Sequence, residues 1–112
     1  MTGVYKSPFT LTTRLVTEIG NLLVAIDIDS LDRSQQLEII VLKRVLADTR
    51  LDARDYELSE TRAEQLEKAK AAQERLSELR QLILRASEFG IFSAIDIAEL
   101  SARIEEIHIL LQ

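Results

Sequence analysis

The stretch FSAIDIAELSARIEEIHILLQ, residues 92–112, sets Ile97, Leu100, Ile104, Ile107 and Leu111 at spacings of 3, 4, 3 and 4. Side chains at those intervals share one face of an α-helix, so the stretch predicts an amphipathic helix with one buried seam. Ser93 suits the N-cap, and Asp96 stands at the third helical position as an acidic variant of the capping box. Phe92 before the cap and Ile97 after it are spaced as a hydrophobic staple. Ile95, Ile109 and Leu110 lie off the seam and are just as apolar. What covers them is the main question the sequence raises.

Upstream, Gly90 reads as the left-handed residue just past the C-terminus of another helix. No breaker occurs before it back to Ser59, which is placed to cap, with Glu60 near the positive helix end. Such a helix spans about 31 residues, or roughly 46 Å at 1.5 Å per residue. Ala69, Ala72, Leu76, Leu79, Ile83 and Ala86 follow a heptad-like rhythm, and the small residues allow close approach of a partner helix. Segments 59–89 and 93–111 therefore predict a long antiparallel helical hairpin with a very short connection. Its seam joins Leu76, Leu79 and Ile83 to Ile97, Leu100, Ile104, Ile107 and Leu111.

The first half adds two more helices. One starts between Ser7 and Thr12, with Pro8 in the first turn, and carries the stripe Leu11, Leu15, Ile19, Leu22 and Ile26. It ends near DIDS, residues 27–30, where Asp and Ser favour a turn. The other starts at Asp32, with Gln35 completing a capping box. Leu37, Ile40, Val41, Val45 and Leu46 form its expected buried face, and Ile39 and Leu42 widen the apolar surface past half the circumference. Residues 51–58 read either as a linker or as a continuation of that helix. The fold class is an all-α bundle of about four helices in one domain, 1–112, with a flexible N-terminus at 1–6.

Composition bounds the function. With 46% apolar and 29% charged residues, the chain is a folded protein and not a membrane span. A net charge of −5 disfavours nucleic acid and anionic lipid, whose phosphates need clustered cations. Residues 27–60 carry nine carboxylates against five basic side chains, which suits a basic partner. No cysteine is present, which removes thiolate chemistry and fits a reducing compartment. MTGVYKSPFT lacks the apolar core of a signal peptide, so the expected location is the cytoplasm.

Chemistry-bearing constellations are scarce. His108 is the lone histidine, without the partners a general base or metal site needs. DIDSLD resembles a calcium loop, but its sixth position is Asp32 where a glycine is required. Glu105 and Glu106 point about 100° apart on a helix and share no site. Lys43, Arg44, Arg50 and Arg54 read as ordinary surface because Asp48, Asp52 and Asp55 lie among them. The expectation is a non-enzyme with no cofactor and no metal.

SPFTLTTRLVTEIGNLL, residues 7–23, resembles the N-terminal helix of proteins carrying a Fic adenylyltransferase domain, in its Pro-aromatic start and its Thr-Glu-Ile followed by Gly. The family's His-x-Phe-x-x-Gly-Asn-Gly signature is absent, since Ile109 and Leu110 follow His108. Its inhibitory Ser/Thr-x-x-x-Glu-Gly/Asn motif is only approached, at Ser34 to Glu38 and at Ser101 to Glu105. The resemblance implies a helical accessory segment and no activity.

The surplus apolar positions Ile39, Leu42, Ile95, Ile109 and Leu110 form the candidate interaction surface. One compact chain of this length has a radius of gyration near 13 Å and too few elements to bury them all. The expected protein is a homo-oligomeric helical adaptor or scaffold, with a two-fold dimer as the simplest assembly. The alternative is a small acidic chaperone, antitoxin or phage inhibitor that masks a partner protein.

Overall fold

The computed structural model describes residues 7–112; the N-terminus expected to be flexible, 1–6, lies outside them. Among the described residues the chain is all-helical: α1 (Pro8–Val24), a 3-10 turn (Ile28–Ser30), α2 (Arg33–Glu57), α3 (Arg62–Glu88) and α4 (Ala94–Leu110). Each helix packs on its neighbour in sequence, and α4 returns to pack on α1, so the four form a closed ring in cross-section. Adjacent helices run antiparallel. Glu38 and Asp52 of α2 meet Arg85 and Arg75 of α3, and Leu11 and Leu22 of α1 stand beside Ile107 and Leu100 of α4. This is an up-down-up-down bundle. None of its described helices is long and apolar enough to cross a membrane.

Local chemistry fixes where the helices begin. Ser7 Oγ accepts from the Thr10 N–H at 3.0 Å, and Pro8 opens α1 where no amide proton is needed. The Asp32–Gln35 capping box is complete, with Asp32 Oδ1 accepting from Gln35 N–H at 2.8 Å and Gln35 Oε1 accepting from Asp32 N–H at 3.0 Å. Ser93 and Asp96 form the second box at the start of α4, with bonds of 3.1 and 3.4 Å. Between α3 and α4, Gly90 takes φ +75°. Its N–H donates to Ser87 O at 2.9 Å and the Ile91 N–H donates to Ala86 O at 3.0 Å, the two bonds of a Schellman turn.

In the middle of the chain the structure takes one of the two readings open for residues 51–58 and corrects two expectations. Residues 51–58 are not a linker: α2 runs on to Glu57, because no Gly or Pro stops it and Ala53 and Tyr56 still face the core. The cap of α3 is Thr61, not Ser59. Thr61-Arg62-Ala63-Glu64 carries the Thr-x-x-Glu pattern, and Thr61 Oγ1 accepts from the Glu64 N–H at 3.1 Å. Ser59 instead donates to Asp55 O at the end of α2. The hairpin therefore pairs 62–88 with 94–110, shorter than the expected 59–89 and 93–111, and the longest interface in the bundle is α2 with α3.

The core runs through the ring. The seam residues Leu76, Leu79, Ile83, Leu100, Ile104, Ile107 and Leu111 are all buried, and Ile97 is half-buried against them. Leu15, Ile19 and Leu23 close it from α1. Leu11, Leu22 and Ile26, expected on the same stripe, are only partly buried, since the inward face of α1 runs Pro8, Thr12, Leu15, Ile19 and Leu23.

Candidate interaction surface

α2 is where the structure departs most from the sequence expectation. Ile39 and Leu42, assigned to an interaction surface, are core residues at 2% and 1% exposure. With Leu46, Thr49 and Ala53 they form the inward seam at spacings of 3, 4, 3 and 4. Thr49 is tolerated there because its hydroxyl donates to Val45 O at 2.6 Å, leaving no unpaired buried donor. Leu37, Ile40 and Val41, expected to be buried, are exposed.

Those exposed residues belong to a second stripe. Leu37, Ile40, Val41, Arg44, Ala47, Leu51, Arg54 and Leu58 recur at the same helical rhythm. At about 100° per residue, the line through Arg44 and Leu51 lies roughly 180° from the line through Leu46 and Ala53. Helix α2 thus has two apolar faces on opposite sides, one in the core and one in solvent. Ala47, Arg50, Leu51 and Arg54 line a shallow depression on the outward face.

The two flanks of this stripe differ in charge. On the acidic flank Glu38 pairs with Arg85 at 2.9 Å, and Arg75 meets Asp52 at 2.9 Å and Asp48 at 3.9 Å, while Asp55 stands exposed between Leu51 and Leu58. The hydrogen bond to Asp52 raises the Arg75 pKa above its ordinary range, so this cation stays charged and holds the carboxylates to α3. On the other flank, Lys43 and Arg50, with Arg44 and Arg54 in the stripe, form no ion pair among the described residues. An acidic chain therefore presents an apolar stripe with one cationic flank.

The α4 candidates stand where the sequence placed them. Ile95 is 72% exposed, and Ile109 and Leu110 are also exposed. Ile95 and Ile109 share the outward side of α4 with Ala98 and Ala102. α2 and α4 occupy diagonal corners of the ring, so these two outward faces point away from each other, and Ile39 and Leu42 belong to neither.

No constellation for chemistry accompanies either face. Among the described residues no group of three or more His, Asp or Glu side chains is arranged to hold a metal ion. His108 lies in the last turn of α4, half-buried, where a cation suits the helix C-terminus. The signal for the α2 stripe was present in the sequence as a second helical register, 37-40-44-47-51-54-58, beside the register 39-42-46-49-53. No family model, no curated protein and no solved structure matches this chain.

Proposed function

We propose that the chain is a non-enzymatic helical protein–protein interaction module, acting as a homo-oligomeric adaptor or scaffold in the cytoplasm. The observation that carries this reading is the outward stripe of α2. Five large apolar side chains, Leu37, Ile40, Val41, Leu51 and Leu58, face solvent along one line while all four helices are already engaged with one another. Burying one such side chain is worth about 1.5–3 kcal/mol. A contiguous row of them marks a surface that another protein covers. The continuous core and complete helix caps support a chain that folds alone, which favours a scaffold over a masking protein that orders only with its target.

The test is absolute mass by light scattering on a sizing column across a wide range of concentration. The expected result is a mass above one chain that increases with concentration. A single-chain mass at every concentration overturns the homo-oligomeric reading.

A further inference from the structure

We propose that the outward stripe of α2 receives the outward face of α4 from a second copy of this chain, so that copies join head to tail. The inference rests on the interaction-module reading above and specifies which faces meet.

Charge is the first argument. The α2 stripe carries Arg44 and Arg54 and is flanked by Lys43 and Arg50, none of them in an ion pair among the described residues. The α4 face carries Glu99 on one flank and Glu105 on the other, and neither forms an ion pair among the described residues. A carboxylate therefore meets the cationic flank whichever way the second helix runs. Opposite charges across an interface steer encounter and fix register.

Antiparallel self-pairing of like faces is disfavoured by the same charges. When a helix packs antiparallel on its own copy, each flank meets its own counterpart. Two α2 stripes would set Lys43, Arg50 and Arg54 against the same residues, and two α4 faces would set Glu99 and Glu105 against theirs. Like charges facing across an interface select against that pairing.

Shape agrees. The depression on α2 is lined by Ala47 and Leu51 together with Arg50 and Arg54. On α4, Ile95 and Ile109 are the large exposed apolar side chains, with Ala98 and Ala102 between them. An isoleucine seated in the depression places a glutamate of α4 near the guanidinium groups. At 1.5 Å per residue, the α4 face from Ile95 to Ile109 measures about 21 Å and fits within the roughly 31 Å from Leu37 to Leu58. Because the two faces point away from each other, one chain can use both at once. Such a contact is heterologous and either closes into a ring or extends.

The experiment uses two double variants of the full chain. Ile40→Asp/Leu51→Asp removes the α2 face, and Ile95→Asp/Ile109→Asp removes the α4 face. All four residues are exposed, and circular dichroism with thermal melts verifies that both variants keep the fold. Light scattering is expected to show each variant alone as a monomer and their equimolar mixture as a complex of two chains that grows no further. A variant that still dimerises alone overturns the proposal, as does a mixture of folded variants that fails to combine. An oligomeric wild-type chain unaffected by either variant also overturns it, while leaving the interaction-module reading in place. A monomeric wild-type chain overturns both. Charge reversal gives an independent readout. Arg50→Glu/Arg54→Glu is expected to weaken association at least about tenfold, and adding Glu99→Lys/Glu105→Lys to the same chain is expected to restore it. A failure of that restoration, with the chain folded, overturns the assigned faces.

Discussion

Gln35 Nε2 donates to the carbonyl oxygen of Phe89 at 2.7 Å, a bond across 54 positions of sequence. The other atom of the same amide, Oε1, accepts from the Asp32 N–H in the capping box of α2. One side chain thus closes the start of α2 and satisfies a carbonyl at the end of α3, where the helix itself supplies no donor. Replacing Gln35 by Ala removes half a capping box and one tertiary hydrogen bond. The expected loss is about 2 kcal/mol, the sum of a cap and a hydrogen bond, read by urea unfolding. Gln35→Glu retains the acceptor and loses the donor, so it should fall between the two.

Gly90, just past the end of α3, and Gly20, within α1, should respond to alanine with opposite signs. Gly90 sits at φ +75° with open space where a Cβ would go, so its cost is purely one of backbone conformation. Gly90→Ala is expected to destabilise by about 1–2 kcal/mol. Gly20 lies within α1 with no positive φ, and nothing stands within 4 Å of a Cβ added there. Gly20→Ala is expected to stabilise by about 0.5–1 kcal/mol. Thermal melts of the two variants decide the matter, and shifts of the same sign would contradict the assigned conformations.

Aspartate substitutions separate the seam from the surface. Ile104 is 2% exposed, and a charge there has no partner in the core, so Ile104→Asp should unfold the chain. Ile39→Asp and Leu42→Asp should do the same, since both lie between α2 and the core. Ile109 is 55% exposed, and Ile109→Asp should keep its helical circular dichroism. Retention of a cooperative melt by the Ile39 or Leu42 variant would show that α2 is turned the other way.

Arg75 offers a measurable coupling. Its guanidinium reaches Asp52 on α2 and Glu78 on its own helix at 2.9 and 3.1 Å. The pair is partly solvated, so a double-mutant cycle with Arg75→Gln and Asp52→Asn should return about 0.5–1 kcal/mol, falling as salt is added. Because the Arg75 pKa is raised, its contribution is present below its ordinary value and is lost only as pH climbs through the higher folded value. Between pH 7 and about 10 the Arg75 contribution should be level.

What the sequence disclosed and what it concealed divide along a physical line. Caps and turns are made by neighbours in sequence, so Asp32 with Gln35, Ser93 with Asp96, and Gly90 were all readable. The seams of α3 and α4 were readable because each has one dominant apolar register. α2 has two, and local pattern alone cannot say which faces inward. The inward one includes Thr49 and Ala53, which carry little hydrophobic signal, while the outward one is rich in Leu, Ile and Val. The choice is made by packing against α1 and α3, which is tertiary information. The continuation of α2 past residue 51 was obscured by Asp52 and Asp55, poor helix formers taken alone. Asp52 is held in place by an arginine 23 positions away.

The closed ring carries a consequence for kinetics. Three of its four interfaces join helices consecutive in sequence, and only α1 against α4 brings distant segments together. Closing that contact costs the most chain entropy, and interfaces formed by local contacts assemble faster. The α2–α3 pair, longest and joined by a short turn, is the natural nucleus, and docking of α1 on α4 is the natural last event. Weakening the contact of Glu18 with Arg103 at 2.7 Å should therefore accelerate unfolding and leave the folding rate nearly unchanged. The lifetime of the native bundle is then set at the α1–α4 contact, far along the chain from the helices that begin its assembly.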